Sequence, residues 1–216
     1  PPAHLVAGLF TVMMVISVVV YVAVIVSMLY SVQRARSAAT ATTEREPALR
    51  RAVTVATVAT VVILFGYLFY DFGVGRAVAA PVGARDALDI NVVAHQWWWE
   101  VQYQDTAPQR VLTTANEIHV PIHRPVLLSL SSTDVIHSFW VPNLNGKRDL
   151  IPGHRNAAWF EADTAGVYRG QCAEFCGLQH AKMAITIVAE TPDQYAQWYN
   201  AQLQPPAQPT DSLRLA

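Results

Sequence analysis

Hydrophobic residues are distributed along the chain in two long uninterrupted runs, followed by a series of short ones. Residues 5–32 contain no charged side chain, and residues 52–70 form a second uncharged run. A bilayer span needs about 20 apolar residues, and a helix of a soluble core is rarely apolar on every face over such a length. The pattern predicts two transmembrane helices, and a pair of buried core helices is the alternative.

The hydrophobic pattern changes near residue 88. Short segments rich in Val, Ile, Trp and Tyr recur between Pro, Gly and Asn, which is typical of a β-sandwich or barrel. The predicted strands are 88–94, 97–103, 116–120, 125–131, 136–141, 157–162, 166–171 and 183–189. We therefore predict a helical hairpin over 1–72, a linker over 73–87 and an all-β domain over 88–190.

The C-terminal part of the sequence combines a helix signal with a Pro-rich segment. Thr191 is expected to cap a short amphipathic helix over 191–203, in which aromatic residues recur at helical spacing. The remaining residues, 204–216, are rich in proline and are expected to be extended.

Charge adds an orientation and excludes one class of partner. The net charge is −1, and without a basic stripe a nucleic-acid partner is not expected. The predicted loop between the spans, residues 33–51, is rich in arginine, and the positive-inside rule places it in the cytoplasm. Both termini and the β domain are then expected outside the cytoplasm. The loop arginines are Arg34, Arg36, Arg45, Arg50 and Arg51.

One short stretch, CAEFCGLQHAKM, concentrates soft metal-ligating side chains. It contains the only two cysteines, Cys172 and Cys176, followed by His180 and Met183. His137, in an apolar strand-like setting upstream, would supply a second imidazole. Sulfur and imidazole donors select copper, and two thiolates that bridge suggest two copper ions.

Two other interpretations of this stretch remain open. The cysteines could form a disulfide in an oxidising compartment, or the site could hold zinc, for which methionine is a poor ligand. A disulfide alone does not explain why His180 and Met183 lie so close, or why Gly177 lets the chain turn there. We therefore favour copper. Of the other histidines, His95 is expected to be a core or supporting residue, and the rest are expected to be structural: His4, His119, His123 and His154.

Three consecutive tryptophans, Trp97 to Trp99, form the second informative stretch. Side chains alternate between the two faces of a strand, so at least one indole is expected to point away from the core. An exposed Trp is favoured at binding surfaces, and a position at the membrane surface is the alternative. Nearby acids could steer a basic partner or be ordinary solvated side chains. They are Glu100, Asp105 and Asp134.

These stretches together resemble subunit II of the haem–copper cytochrome c oxidases. The resemblance lies in AHQWWWEVQY (94–103), DVIHSFWVPNLNGKRDLIPG (134–153) and GQCAEFCGLQHAKM (170–183), behind two apolar spans. It implies two transmembrane helices followed by a cupredoxin-like β-sandwich, in a bacterial inner membrane. The implied function is to accept electrons from cytochrome c at a binuclear copper centre and pass them to haem in subunit I, where oxygen is reduced and protons are pumped.

The resemblance also implies roles for particular residues. Trp97 would be the residue through which electrons arrive, and Asp149 would lie at the contact with subunit I. Glu174 would bind copper through its backbone carbonyl and a magnesium ion, shared with subunit I, through its side chain. The other copper ligands would be His137, Cys172, Cys176, His180 and Met183. The implied partners are subunits I and III, cytochrome c and membrane lipid, with haem only in the partner subunits.

The chain departs from the family pattern at the cytoplasmic start of the second span. Family members often carry a glutamate there for proton uptake, whereas this chain has Arg50, Arg51 and Ala52. Glu44 and Glu46 in the loop could take that role or could be solvated acids. No C-x-x-C-H haem signature occurs, so a fused cytochrome c is not expected in these residues.

Three rival functions remain. A nitrous-oxide reductase has a similar copper domain but is soluble, and a quinol oxidase subunit II has the spans but lacks the copper ligands. The third is a membrane-anchored domain locked by a disulfide.

Overall fold

The computed structural model describes residues 2–37, 46–79, 86–104 and 110–204. Three α-helices lie in these ranges: α1 (Pro2–Ser37), α2 (Glu46–Val78) and α3 (Pro192–Gln202). Asp105, Glu44 and residues 205–216 of the predicted tail lie outside the described residues, as does the middle of the arginine-rich loop. The chain divides into two compact units, the helical hairpin and the β domain.

The hairpin consists of two helices that are long and apolar enough to cross a bilayer. Their most apolar windows have a mean hydropathy of 2.9 in α1 and 2.2 in α2. With 36 and 33 residues, they are about 54 and 50 Å long, against a hydrocarbon core of about 30 Å. None of the residues in these windows is buried, which is the opposite of what a soluble core helix requires. The alternative of two core helices is therefore wrong.

Both helices continue beyond the predicted spans of 5–32 and 52–70. The predicted linker over 73–87 is corrected, because α2 ends only at Val78. The predicted loop 33–51 is also shorter, since α1 continues to Ser37 and α2 begins at Glu46. An uncharged run marks only the segment that suits lipid, whereas backbone hydrogen bonding extends a helix into polar residues beyond it.

The β domain is a sandwich of two five-stranded sheets. One sheet has the order β3-β2-β1-β5-β8 and the other β4-β10-β9-β6-β7. β1 pairs parallel with β5, and β10 pairs parallel with β4. The strands are β1 (Leu88–His95), β2 (Trp98–Tyr103), β3 (Leu112–Ala115), β4 (Glu117–Pro121), β5 (Val126–Ser132), β6 (His137–Trp140), β7 (Arg148–Leu150), β8 (Asn156–Phe160), β9 (Gly166–Cys172) and β10 (Ala184–Glu190).

The core of the sandwich lies between the two sheets, where alternate residues of each strand are buried. In β1, for example, Leu88, Ile90, Val92 and Ala94 are buried, while the residues between them are at least partly exposed. This two-residue period sets the register, because a slip by one residue would turn the apolar face outward. Because the register is set in this way, the packing of the two sheets fixes the position of the strand ends that carry the candidate site.

All eight predicted strands are present within one or two residues, but two strands were missed. β3 and β7 are only four and three residues long, and each lies at an edge of its sheet. Edge strands are short and need little apolar side-chain area, so the hydrophobic pattern contains no clear signal for them.

The predicted C-terminal helix is confirmed as α3. Thr191 caps it, and Thr191 and Gln194 form a capping box in which each side chain bonds the other's backbone N–H. Tyr195 and Tyr199 are buried against the sandwich.

Candidate metal centre

The residues of the cysteine-rich stretch lie at one end of the second sheet. Cys172 ends β9, Met183 immediately precedes β10, and the intervening loop carries Cys176 and His180. His137 begins β6, which pairs with β9 so that Phe139 lies opposite Cys172. The predictions that the stretch connects the last two strands and that an earlier strand supplies His137 are confirmed.

The two cysteine sulfurs face each other without a bond. Both cysteines are free, and their Sγ atoms are 3.9 Å apart, whereas a disulfide requires about 2.05 Å. Two sulfurs bound to one ion at about 2.3 Å in a tetrahedral arrangement lie about 3.8 Å apart. The observed separation therefore fits two thiolates that share a metal, and the disulfide alternative is wrong for this structure.

The other potential ligands are placed around these two sulfurs. His137 Nδ1 lies 3.9 Å from Cys172 Sγ, and His180 Nδ1 lies 3.5 Å from Cys176 Sγ. Met183 Sδ is 3.8 Å from Cys176 Sγ, while the Glu174 carbonyl oxygen is 3.2 Å from Cys172 Sγ. Each sulfur thus has one imidazole and one weaker donor beside it. This arrangement suits two soft ions that share the sulfurs better than a single tetrahedral zinc ion.

The sulfur-rich pocket is almost closed to water. The exposed fractions of Cys172, Cys176, His137 and Met183 are 4%, 2%, 0% and 1%. Burial, followed by the influence of Cys172, raises the pKa of the Cys176 thiol to about 12. Two thiolates in this setting would need cations to compensate their charge, which a bound metal ion would supply.

Asp134 orients His137. Its Oδ1 lies 2.8 Å from His137 Nε2, so the other ring nitrogen, Nδ1, is left to face the sulfurs. A carboxylate on the second nitrogen of a metal-binding histidine fixes the ring in this way. Burial raises the pKa of the Asp134 carboxyl, but hydrogen bonds from His137 and from the backbone of Val135 and Gln96 outweigh it, and the net shift is downward.

Trp97 and Gln96 contact the metal-site loop directly. Trp97 Nε1 donates to the Cys176 carbonyl at 3.1 Å, and Gln96 Nε2 donates to the same oxygen at 2.7 Å. The following residue, Gly177, has φ +116°, and a Cβ there would lie 3.2 Å from Trp97 Cζ2. The indole of Trp97 therefore packs on the backbone next to a predicted metal ligand.

The three tryptophans are buried to different extents, as the alternation of strand faces requires. Trp99 is fully buried and Trp98 is 38% exposed, while Trp97 is partly buried against the core. The prediction that at least one indole points away from the core is confirmed.

The acidic side chains near the three tryptophans and the metal site differ in their surroundings. Glu100 accepts one hydrogen bond from Gln102 Nε2 and contacts His95 Nε2 at 3.0 Å. These contacts, that of Gln102 first, lower the pKa of the Glu100 carboxyl. Asp149 accepts a hydrogen bond from Ser138 at 2.8 Å. The Glu174 residue is exposed beside the site.

Gln96 was missed by the sequence reasoning. Its side chain meets a carbonyl 80 residues away in the chain, and no local pattern reveals such a contact. His95 was expected to be a supporting residue, and it is stacked on Trp98 with 4.5 Å between the ring centroids.

Two other histidines have surroundings that the sequence did not reveal. His123 lies near Glu161 and Asp163, with their ligand atoms within 4.8 Å of one another, so it does have ligand-like neighbours. Exposed groups of this kind are common without an ion, and we assign none. His119 is held between Glu117 and Glu190 and fits its expected structural role.

Fold and site together define a class of protein in which a hairpin of two apolar helices is followed in the sequence by a β-sandwich. The sandwich holds a buried pair of cysteine sulfurs flanked by imidazoles. Comparisons with known proteins agree. The family described as "Cytochrome C oxidase subunit II, periplasmic domain" matches residues 88–190. The crystal structure of the periplasmic domain of subunit II of cytochrome oxidase (CoxB) of Bradyrhizobium japonicum is 30% identical, with a TM-score of 0.51, and the match covers 55% of this chain and 94% of that one.

Curated relatives point the same way. Cytochrome c oxidase subunit 2 of Alkalihalophilus pseudofirmus is 37% identical over 133 residues, 62% of this chain and 38% of that protein. The Synechocystis sp. protein of the same name is 36% identical over 145 residues, 67% of this chain and 41% of that protein. The chain thus spans about two fifths of the length of these two relatives. It belongs to the cytochrome c oxidase subunit II family, with transmembrane helices and a cupredoxin-like domain.

Proposed function

We propose that the chain is the electron-accepting subunit of a respiratory cytochrome c oxidase. In this proposal it receives electrons from cytochrome c at a binuclear copper centre and passes them to haem in subunit I, where oxygen is reduced and protons are pumped. One observation carries the proposal: two unbonded sulfurs, 3.9 Å apart and buried, each have an imidazole nitrogen within 3.9 Å.

The residues fit a pair of copper ions by the chemistry of their donors. The proposed ligands are the side chains of His137, Cys172, Cys176, His180 and Met183 and the backbone carbonyl of Glu174. A copper pair bound there would supply a one-electron carrier. The chain's own contribution is to hold these donors on strand ends and a short loop, so that their positions change little when the charge changes, and to keep water away.

Trp97 is the proposed point at which electrons arrive. It is partly buried, and its N–H bonds the backbone of Cys176, so one side chain connects the outer surface with a proposed ligand. Two apolar residues of the same loop, Phe175 and Leu178, are 77% and 95% exposed. Exposed apolar side chains of this size favour a protein partner, which we propose to be cytochrome c.

Acidic side chains would steer this basic partner. The proposed docking acids are Glu100, Asp105 and Asp134, the last of which also orients His137. We place Asp149 at the contact with subunit I, and we propose that the exposed carboxylate of Glu174 binds a magnesium ion shared with that subunit.

The remaining partners follow from the hairpin. Its apolar side chains are exposed along both helices, and we propose that lipid and subunits I and III cover them. Arginines near the cytoplasmic loop support an orientation in which the copper domain and both termini lie outside a bacterial inner membrane.

Metal analysis tests the copper assignment. The full chain in detergent, loaded with copper, is expected to retain two copper ions and to give an electron paramagnetic resonance spectrum of one unpaired electron shared by two copper nuclei. Cys176→Ser should lose the shared spectrum, and His154→Gln, at an exposed histidine, should keep it. One copper per chain, or zinc alone, would contradict the assignment.

A further inference from the structure

Gln96 connects the two parts of the chain that supply the candidate ligands. Its side-chain Nε2 donates to the carbonyl of Cys176 at 2.7 Å. Its backbone N donates to Asp134 Oδ2 at 2.6 Å, and the other oxygen of that carboxylate meets His137 Nε2 at 2.8 Å. The loop between β9 and β10 and the start of β6 are thus joined through one residue.

The hydrogen bond from Gln96 to the Cys176 carbonyl restricts the loop where the chain turns at Gly177. Because the peptide unit is planar, the direction of the Cys176 carbonyl determines how the chain leaves that cysteine and enters Gly177, where φ is +116°. Two N–H groups, from Gln96 and Trp97, converge on this oxygen. Loss of either donor leaves the other to hold the turn alone.

We propose that Gln96 is a positioning residue of the proposed copper centre, and this inference rests on the function proposed above. Gln96 is not one of the proposed ligands, and it acts through Cys176 and Asp134, which its side chain and its backbone N–H contact. Its side chain holds the carbonyl of Cys176 in place, which keeps both that sulfur and the indole of Trp97 in position. Its backbone N–H holds Asp134, which orients His137.

Two substitutions isolate the side-chain bond, since both keep the backbone N–H that reaches Asp134. Gln96→Met has a similar length and no donor, and Gln96→Glu places an oxygen against the Cys176 carbonyl oxygen. Gln104→Met is the matched control, because the only side-chain bond that Gln104 Nε2 makes within the described residues is a long one of 3.4 Å to Gln102 O.

The first measurement is the release of copper from the full chain in detergent to a chelator. One neutral hydrogen bond at a partly exposed site corresponds to about a two- to tenfold faster release, and Gln96→Glu should exceed Gln96→Met because it leaves two oxygens facing each other. The copper hyperfine splitting should change in both variants and remain unchanged in Gln104→Met. Release rates and spectra equal to those of the wild type would overturn the inference.

The second measurement needs no metal. Hydrogen exchange of the Trp97 indole N–H, followed by NMR on metal-free full chain with labelled tryptophan, should be faster in both Gln96 variants and unchanged in Gln104→Met. Unchanged exchange in the Gln96 variants would overturn the inference even if wild-type chain binds two coppers. If the wild-type chain fails to bind two coppers, the proposed function fails, and this exchange measurement still decides whether Gln96 holds the loop.

Discussion

Gly177→Ala should distort the metal-site loop, because the native backbone at this residue suits only glycine. The φ angle is +116°, a conformation that L side chains rarely adopt. An alanine Cβ would lie 3.1 Å from Gln96 Nε2 and 3.2 Å from Trp97 Cζ2, so both side chains must move. The strained backbone alone costs about 1 to 3 kcal/mol, and displacement of the two donors to Cys176 adds to this cost.

Urea unfolding of the full chain in detergent measures the cost. All six tryptophans lie beyond residue 88, so tryptophan fluorescence reports on the sandwich and not on the helical hairpin. We expect the free energy of unfolding of the sandwich to fall by at least the backbone cost of about 1 to 3 kcal/mol, and each kcal/mol lowers the thermal midpoint by about 4 °C for a domain of this size.

Gly146→Ala is the matched control, since Gly146 is an exposed loop residue whose added Cβ would meet no atom within 4 Å. Its effect should stay within about 0.5 kcal/mol. If the two alanine variants unfold at the same urea concentration and keep the same tryptophan fluorescence, the argument that Gly177 is required for the turn is refuted.

Three further predictions concern other parts of the β domain. Thr191→Ala removes the cap of α3 and should destabilise the sandwich by about 1 kcal/mol in urea unfolding; an effect below 0.3 kcal/mol would count against it (about a third of the cap's usual value). Because the pKa of Asp134 is lowered in the folded chain, its stabilising contribution is complete above the unfolded value of 3.8 and is lost as the pH falls below it. The stability of Asp134→Asn should therefore depend less on pH in this range than that of the wild type. Parallel plots of unfolding free energy against pH for the two proteins would disprove a stabilising role for the ionised Asp134 carboxylate. Trp97→Ala, measured on samples that carry two copper ions, should slow electron transfer from cytochrome c at least tenfold (about 1.4 kcal/mol in the barrier), whereas Trp98→Ala should change the rate less. Equal stopped-flow rates for Trp97→Ala and the wild type would remove Trp97 from the path.

Much of the fold follows from local pattern. Two long uncharged runs required helices, because only helices and closed barrels satisfy backbone hydrogen bonds in lipid. Alternation of apolar and polar residues located the longer strands, such as β1 and β10. The edge strands β3 and β7 lacked that signal because they contribute little to the core.

The ligand set of the candidate site could also be proposed from the sequence, since Cys172, Cys176, His180 and Met183 lie within one short stretch. Residue type and spacing carry that much information because the chemistry of soft donors is specific.

Only the tertiary structure decided how these donors are held. That Asp134 orients His137, and that Gln96 and Trp97 bond the carbonyl of Cys176, depends on which strand ends the sandwich brings together. The contacts to Cys176 join residues 79 and 80 positions apart. Local sequence determines helices, strands and donor chemistry because those depend on near neighbours in the chain, whereas the supporting contacts depend on the pairing of distant strands, which no short segment encodes.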